Sequence, residues 1–582
     1  MNANKQNSAY FKIAGIVFAI AIIVFVTLVA FNDIPELKSI LTNVHYYFLE
    51  IDFLLIIIGL AGVAGLIAVK FKEATKKQIV FLTLLLVSAF ALAAFVAPRT
   101  HRLYYDEDIY QNIAQNLSEL HKAEMCNEGF TEYDVYNCRS GEYNKQPYGY
   151  PHFLSAAFRI FGRSETTAFA LNNFLFPLSV LLVFLIALFL FDNFSAAFFS
   201  ALLFLIFPQN SLWFSAANVE PSALFFAGLS FLAAIFYIRK GNNRALLFYA
   251  SATAYAVQFR PESVFIAPLT LLFIVVSKPG ELKNGKFYFM ISLLVLLSFN
   301  QWLHLWAVKN DSWGSSANRM GFEYFIYNFK TNVLFYLKNV RFPLVATLFF
   351  FAAFYGKTYL KEKLIVALWF FSFWGIFLLF YAGSYNYGAD VRYSLVSYVP
   401  FALLAGLGIQ NMKSFFGKNE KHFNVVVTII LLFQFTTFLP MIRAESQEAW
   451  AARADHRAAE KFAEILPDNS FVFTHNPSMF LMRGKNAGQT SIITNDKFYV
   501  DQIIFPKYEG EVYFHYNYWC IAPDSLQNGL CENVFDYYNA VPIKNIAEQN
   551  YEFILYKLIK KPSPKSKFFK LKIDTTTVKA KR

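Results

Sequence analysis

Charge is scarce in this chain: only 16% of its 582 residues are Asp, Glu, Lys or Arg, against about a quarter in soluble domains. With 56% apolar and 19% aromatic residues, that scarcity excludes an ordinary soluble protein. Cysteine is scarcer still, at four residues, and no His/Cys cluster has the spacing of a structural zinc site. Gly-rich phosphate loops of the Walker or dinucleotide type are missing, which removes the common nucleotide-binding readings. The interiors of the apolar runs carry almost no ionisable residue, where a proton- or ion-coupled transporter would place some. No small-residue cleavage pattern follows the first apolar run, so it reads as a retained helix.

What is present is a long series of apolar runs. About thirteen approach the ~20 residues needed to cross a bilayer. They lie at roughly 11–31, 51–69, 78–97, 166–191, 195–213, 221–238, 245–259, 262–277, 287–308, 343–356, 364–382, 394–410 and 423–440. The net charge of +12 sits in short clusters between alternate runs, which argues against a nucleic-acid partner. Lys70, Lys72, Lys76 and Lys77 form one cluster, Arg239, Lys240 and Arg244 another, and Lys357, Lys361 and Lys363 a third. One orientation puts all of these in the cytoplasm, with the N-terminus inside and the C-terminus outside. The expected fold is therefore an α-helical polytopic membrane protein with exoplasmic amphipathic helices and a small C-terminal α/β soluble domain. Residues 1–77 hold two N-terminal transmembrane helices and residues 78–440 the main transmembrane region, with a large exoplasmic loop at 98–165. Residues 441–582 form the exoplasmic soluble part. In it a helix is expected over Glu448–Leu466, with strands at Ser470–Thr474 and near 490–494, 511–516 and 551–557.

The large loop opens on Asp106-Glu107-Asp108. Ile109, Ile113, Leu117 and Leu120 then recur at helical spacing, so a short amphipathic helix suited to the bilayer surface starts at the acids. Asp106 is either a helix cap, with its neighbours complementing the dipole, or a reactive carboxylate. A turn, Gln146-Pro147-Tyr148-Gly149, separates this helix from a second one near 151–163. Further charges gather on the same side: Glu220-Pro221, Arg260-Pro261-Glu262 and Asp390-Val391-Arg392-Tyr393. Arginine suits phosphate because its planar fork donates paired hydrogen bonds, and a carboxylate beside it serves as a base or holds a cation. Cys126 with Cys138, and Cys520 with Cys531, are expected as disulfides because both close pairs face an oxidising exterior.

These segments, read together over residues 78–440, resemble the polytopic type-C glycosyltransferases, in the branch of protein O-mannosyltransferases and aminoarabinose transferases. The resemblance implies an inverting transfer of one sugar from a polyprenyl (dolichyl-type) phosphate to a hydroxyl acceptor at the exoplasmic face of the plasma membrane. By position it makes Asp106 the catalytic base and Glu107 its neighbour. Glu220, Arg260, Glu262, Arg392 and Tyr393 are then substrate-binding residues, with Glu220 standing where relatives often have Asp. No cofactor is required by this reading, although a divalent cation is compatible with the acids. The Trp-Trp-Asp motif of related oligosaccharyltransferases does not occur. Transfer to Asn and lipid-linked sugar transport are the rival readings.

Overall fold

The structure is a computed structural model that describes residues 3–133, 135–311, 318–386, 390–521, 525–549 and 551–561. The basic tail beyond Lys561 and the side chain of Asp390 lie outside the described residues. The protein is mostly helical. Seven described helices are long and apolar enough to cross a membrane, and up to nine spans result if each of two bent pairs counts as one. The reading of about thirteen spans exceeds this. Several apolar runs fold as shorter helices, such as Asn243–Ala256 and Leu344–Ala352, or as pairs bent by 46° and 44°. Such a helix, at 1.5 Å per residue, falls short of a ~30 Å hydrocarbon layer.

The first two helices are tied into the rest. Helix Ile34–Glu73 begins with an Asp33 capping box and extends for 40 residues. Its Glu50 meets His152 and Arg159, each at 2.9 Å, and its Asp52 accepts from Gln258 Nε2 at 2.9 Å. Helix Gly149–Phe161 is thereby held against it. Gly149 N donates to Gln258 O at 2.8 Å, and a Cβ at Gly149 would sit 2.7 Å from that oxygen, so the close approach requires glycine.

The sheet joins distant parts of the chain. Strands β1 (Met125–Glu132) and β2 (Val135–Glu142) form a hairpin inside the large loop. The C-terminal part supplies β3 (Phe471–Thr474), β4 (Asn486–Gln489), β5 (Val512–Tyr516), β6 (Tyr538–Glu548) and β7 (Tyr551–Lys560). The seven strands lie in the order β2-β1-β4-β3-β5-β7-β6. The sheet is mixed: β3 runs parallel to β4 and β5, while β1 pairs antiparallel with β4 through Glu128 and Gly129. The hairpin and β6 were not expected from the sequence. The strand near 490–494 is instead helix Ser491–Asn495, with the strand just before it. Helix Gln447–Ile465 agrees with the expected one. Cys126 is bonded to Cys138 and Cys520 to Cys531.

The acidic helix, Asp106–Glu119, does not lie exposed at a surface: residues 107–117 are all buried. Its polar face is covered by the hairpin. Cys126 N donates to Asn112 Oδ1 at 2.5 Å, Asn116 Nδ2 donates to Glu124 O at 2.8 Å, and Tyr136 OH donates to Asn116 Oδ1 at 2.8 Å. Buried amides need such partners, and the hairpin supplies them for Asn112 Oδ1 and for Asn116, while both amide atoms of Gln115 are buried without a hydrogen-bond partner.

Candidate active site

Tyr105 holds φ at +79°, a sparsely populated conformation for an aromatic residue, immediately before the acids. This kink starts the helix, and Tyr105 occupies the N-cap position without a side-chain hydrogen bond. Asp106 is thus the first helical residue and is not spent on capping. Successive helix positions differ in direction by about 100°, so the three acids diverge.

Asp106 is the acid that reaches open space. It borders a cavity of about 440 Å³, also lined by Tyr110, Lys145, Arg260, Glu262, Arg319, Arg392 and Tyr393. Arg392 Nη2 lies 3.4 Å from Asp106 Oδ2, and Arg392 Nε lies 3.4 Å from Glu220 Oε1. Arg260 bonds both Glu220 and Glu262. Tyr393 presents its ring 5.1 Å from each guanidinium carbon and its hydroxyl 3.3 Å from Arg392 Nη2. The remaining oxygen of Glu220, Oε2, is buried without a hydrogen-bond partner. Glu220 is 1% exposed, so it works as a bridge that fixes both arginines rather than as a group open to substrate. Phe265, Met320, Ile376, Phe377 and Phe380 add an apolar wall.

Lys145 and Arg319 were not singled out in the sequence. Lys145 stands next to the Gln146-Pro147 turn, and only the folding of two long loops brings it and Arg319 to one cavity. Burial pushes the Lys145 ammonium below the usual lysine range, a shift opposed by the charge of Asp106. Burial, followed by the charge of Asp106, holds the Tyr110 phenol far above its ordinary pKa, so it stays neutral. Glu220 and Glu262 are matched to Arg260, and Asp106 faces Arg392. A donor set in which each carboxylate meets a guanidinium fits an anion better than a divalent cation, and no step is assigned to a metal.

Glu107 points away from the cavity and is fully buried. Its Oε1 accepts from Arg102 N at 2.8 Å and Leu103 N at 3.2 Å, and its Oε2 accepts from Ala217 N at 3.0 Å. It binds the loop before the helix to the segment leading to Glu220. Asp108 faces the C-terminal part, with His456 Nε2 at 2.9 Å and Asn476 Nδ2 donating at 2.6 Å. Around it, His101 and His456 stack at 4.0 Å, and Glu165 meets His456 and Arg483, each at 2.7 Å. Parallel stacked rings cannot both aim in-plane lone pairs at one ion, and Arg483 already neutralises Glu165. The cluster of His101, Glu165 and His456 is therefore a hydrogen-bonded latch. A second group, His475 with Cys520 and Cys531, has its sulfurs in a disulfide.

The latch gives a pH expectation. Burial and His456 lower the pKa of His101, but its hydrogen bond to Glu107 and the nearby carboxylate of Glu165 outweigh them and the net value is raised above the usual histidine range. Burial raises Asp108, and the charge and hydrogen bond of His456 bring it below 3.8. A raised histidine contributes stability that is present below its unfolded pKa and lost as pH rises through the folded one. A lowered aspartate contributes stability present above its unfolded pKa and lost as pH falls through the folded one. Thermal unfolding in detergent should therefore show a plateau between these limits and a fall on the alkaline side. His456, which Asp108 and Glu165 hold well above the usual histidine range against its burial, carries part of the same limb, so His101→Gln should reduce that alkaline fall rather than abolish it; an unchanged alkaline limb would detach His101 from it.

Residues 145–304 match the family described as dolichyl-phosphate-mannose-protein mannosyltransferase. That segment contains Lys145, Glu220, Arg260 and Glu262, but neither Asp106 nor Arg392. No curated protein matches the chain. Among solved structures it is similar to ArnT from Cupriavidus metallidurans bound to undecaprenyl phosphate. The identity is 12%, over 83% of this chain and 98% of that one, with a TM-score of 0.48. It is also similar to the archaeal oligosaccharyltransferase AglB from Archaeoglobus fulgidus, in complex with an inhibitory peptide and a dolichol-phosphate. There the identity is 13%, over 83% of this chain and 74% of that one, with a TM-score of 0.48. Residues 145–304 thus match a mannosyltransferase-family domain set among helices able to cross a bilayer, which indicates a membrane glycosyltransferase.

Proposed function

We propose that this enzyme moves one sugar from a polyprenyl (dolichyl-type) phosphate to a hydroxyl acceptor at the exoplasmic face, with inversion and with Asp106 as general base. The observation that carries the proposal is the position of Asp106. It is a helix-start carboxylate free of capping, at the edge of a cavity whose other charged groups include Arg260, Arg392, Lys145 and Arg319. In the reaction the acceptor oxygen attacks the anomeric carbon as the bond from that carbon to the phosphate oxygen breaks. The acceptor proton passes to Asp106, because a hydroxyl is a poor nucleophile at neutral pH. The leaving phosphate gains negative charge, which the guanidiniums oppose, and the sugar needs no further activation. The wall of Phe265, Ile376, Phe377 and Phe380 suits the start of the lipid tail. Arg392 is the residue that meets the phosphate, with Arg260 behind it.

The family description makes mannose the first sugar to try. Purified protein should transfer radiolabel from polyprenyl-phosphate mannose to a hydroxyl acceptor, and cells lacking the chain should lose a defined set of extracellular glycans or glycoproteins by mass spectrometry. Label appearing only on Asn would favour oligosaccharyl transfer instead. Movement of donor across sealed vesicles without transfer would favour a transporter.

The orientation belongs to the same proposal: a multi-pass protein of the plasma membrane with N-terminus inside and C-terminal part outside, read from the alternating basic loops. The native cysteines are paired, so Glu460→Cys introduces one exposed thiol. It should react with an impermeant maleimide in intact cells. Reaction only after permeabilisation would reverse the orientation and put Asp106 on the wrong side for this chemistry.

A further inference from the structure

The connection between Ala307 and Leu344 contains a helix with no counterpart in the sequence reading, Phe325–Leu337. Two amides fasten it across the end of span Leu360–Leu379. Asn328 donates to Phe377 O at 3.1 Å and Phe380 O at 2.8 Å. Asn332 donates to Gly383 O at 2.9 Å and accepts from Tyr385 N at 2.8 Å. Tyr327, Lys330, Leu334 and Lys338 follow one another at spacings of three or four residues and so share a stripe. With Arg341 and Tyr385 they line a second cavity of about 480 Å³, which shares no lining residue with the cavity at Asp106.

Two properties of this cavity point to its ligand. Three cations meet there, and no carboxylate lines it among the described residues. Arg341 donates to Asn386 O at 3.1 Å, while Lys330 and Lys338 form no ion pair with a described residue. Beside the basic stripe the same segment turns apolar groups outward: Phe322, Ile326 and Leu337 are 83%, 80% and 46% exposed. Basic and exposed apolar stripes side by side are the pattern of a helix seated at the head-group level of a bilayer. We propose that this cavity binds the phosphate of an anionic phospholipid from the surrounding bilayer. Lys330, Lys338 and Arg341 hold the head group, and the acyl chains run along Ile326 and Leu337. A bilayer phospholipid fits better than the sugar donor, since no carboxylate among the described lining residues offers a base for transfer.

The test compares intact protein in nanodiscs of phosphatidylcholine alone and of phosphatidylcholine mixed with phosphatidylglycerol, with Lys330→Gln/Lys338→Gln alongside. Each lysine near an anionic head group is worth about fivefold in affinity. Native mass spectrometry should find phosphatidylglycerol retained by the wild type, and retention lowered by roughly 25-fold in the double variant. Equal unfolding temperatures of the two proteins in phosphatidylcholine would show that the variant folds. Should it not fold, Lys338→Gln alone, at the exposed end of the helix, takes its place. Retention of phosphatidylglycerol that is absent in the wild type, or undiminished in the variant, overturns the proposal. So does a site that takes added polyprenyl phosphate while ignoring phosphatidylglycerol, which would make it a second donor site.

Discussion

Asp106→Asn is expected to lower sugar transfer by about 10²–10⁴-fold, with donor affinity nearly unchanged. Asn keeps the size of the side chain and an oxygen for Arg392 Nη2, which lies 3.4 Å from Asp106 Oδ2. It cannot accept the acceptor's proton. A capping role would predict little change, because Asn and Asp cap about equally well. That role is already disfavoured by Tyr105 occupying the N-cap. The measurement is turnover with labelled donor, together with donor binding in detergent. The neighbouring acids separate chemistry from architecture. Glu107→Gln leaves one oxygen to serve three backbone amides and should lower stability along with activity, since Glu107 is buried among Arg102 N, Leu103 N and Ala217 N. Asp108→Asn keeps the bond to Asn476 and weakens only the latch to His456. A folded Asp106→Asn protein that binds donor and transfers at a near-normal rate would remove the general base from the mechanism.

Arg392→Lys is expected to impair both donor binding and turnover, and Arg392→Ala to do so more severely. The guanidinium reaches Asp106, Glu220 and the Tyr393 hydroxyl from one planar fork, with contacts of 3.4, 3.4 and 3.3 Å. An ammonium is a point charge on a flexible stem and cannot meet all three while also facing a phosphate. Removing one partner of a buried charge pair costs about 2–5 kcal/mol, so the alanine variant should lose roughly 30-fold or more. Arg392 is 14% exposed and Glu220 1%, which puts them in the regime where that cost applies. Binding and turnover are to be measured separately, because a ground-state phosphate contact lowers affinity while a transition-state contact lowers turnover. Wild-type values for Arg392→Ala on both would reduce the residue to an anchor of the helix end.

How much of this was legible before folding depended on how local the signal was. The apolar runs, the helix after the acids, helix Gln447–Ile465 and strands β3, β5 and β7 all announce themselves by periodicity within a few turns or residues. The charged clusters at 220, 260–262 and 392 were found because ionised side chains at the ends of apolar runs are rare enough to stand out. The number of spans was not legible in the same way. Hydropathy records how long an apolar run is, but not whether it bends, as between Leu297 and Phe299, or ends early in a short helix such as Leu344–Ala352.

The amino-acid sequence by itself determined that this is a helical membrane protein and that its charges belong to one rim, because burial preference and helical period are properties of neighbouring residues. Only the tertiary structure decided what each charge does. Asp106, Glu107 and Asp108 are consecutive, yet one faces a cavity, one binds backbone amides and one grips the C-terminal part, since a helix turns each residue away from the last. Hairpin β1–β2 becomes part of a sheet only when β4, some 350 residues later, offers its edge to Glu128 and Gly129. Part of the polar face of the acidic helix is buried for the same reason: the partners of Asn112 Oδ1 and Asn116 lie on or beside that hairpin. Such pairings are selected by complementary surfaces across the whole fold, and no local pattern encodes them.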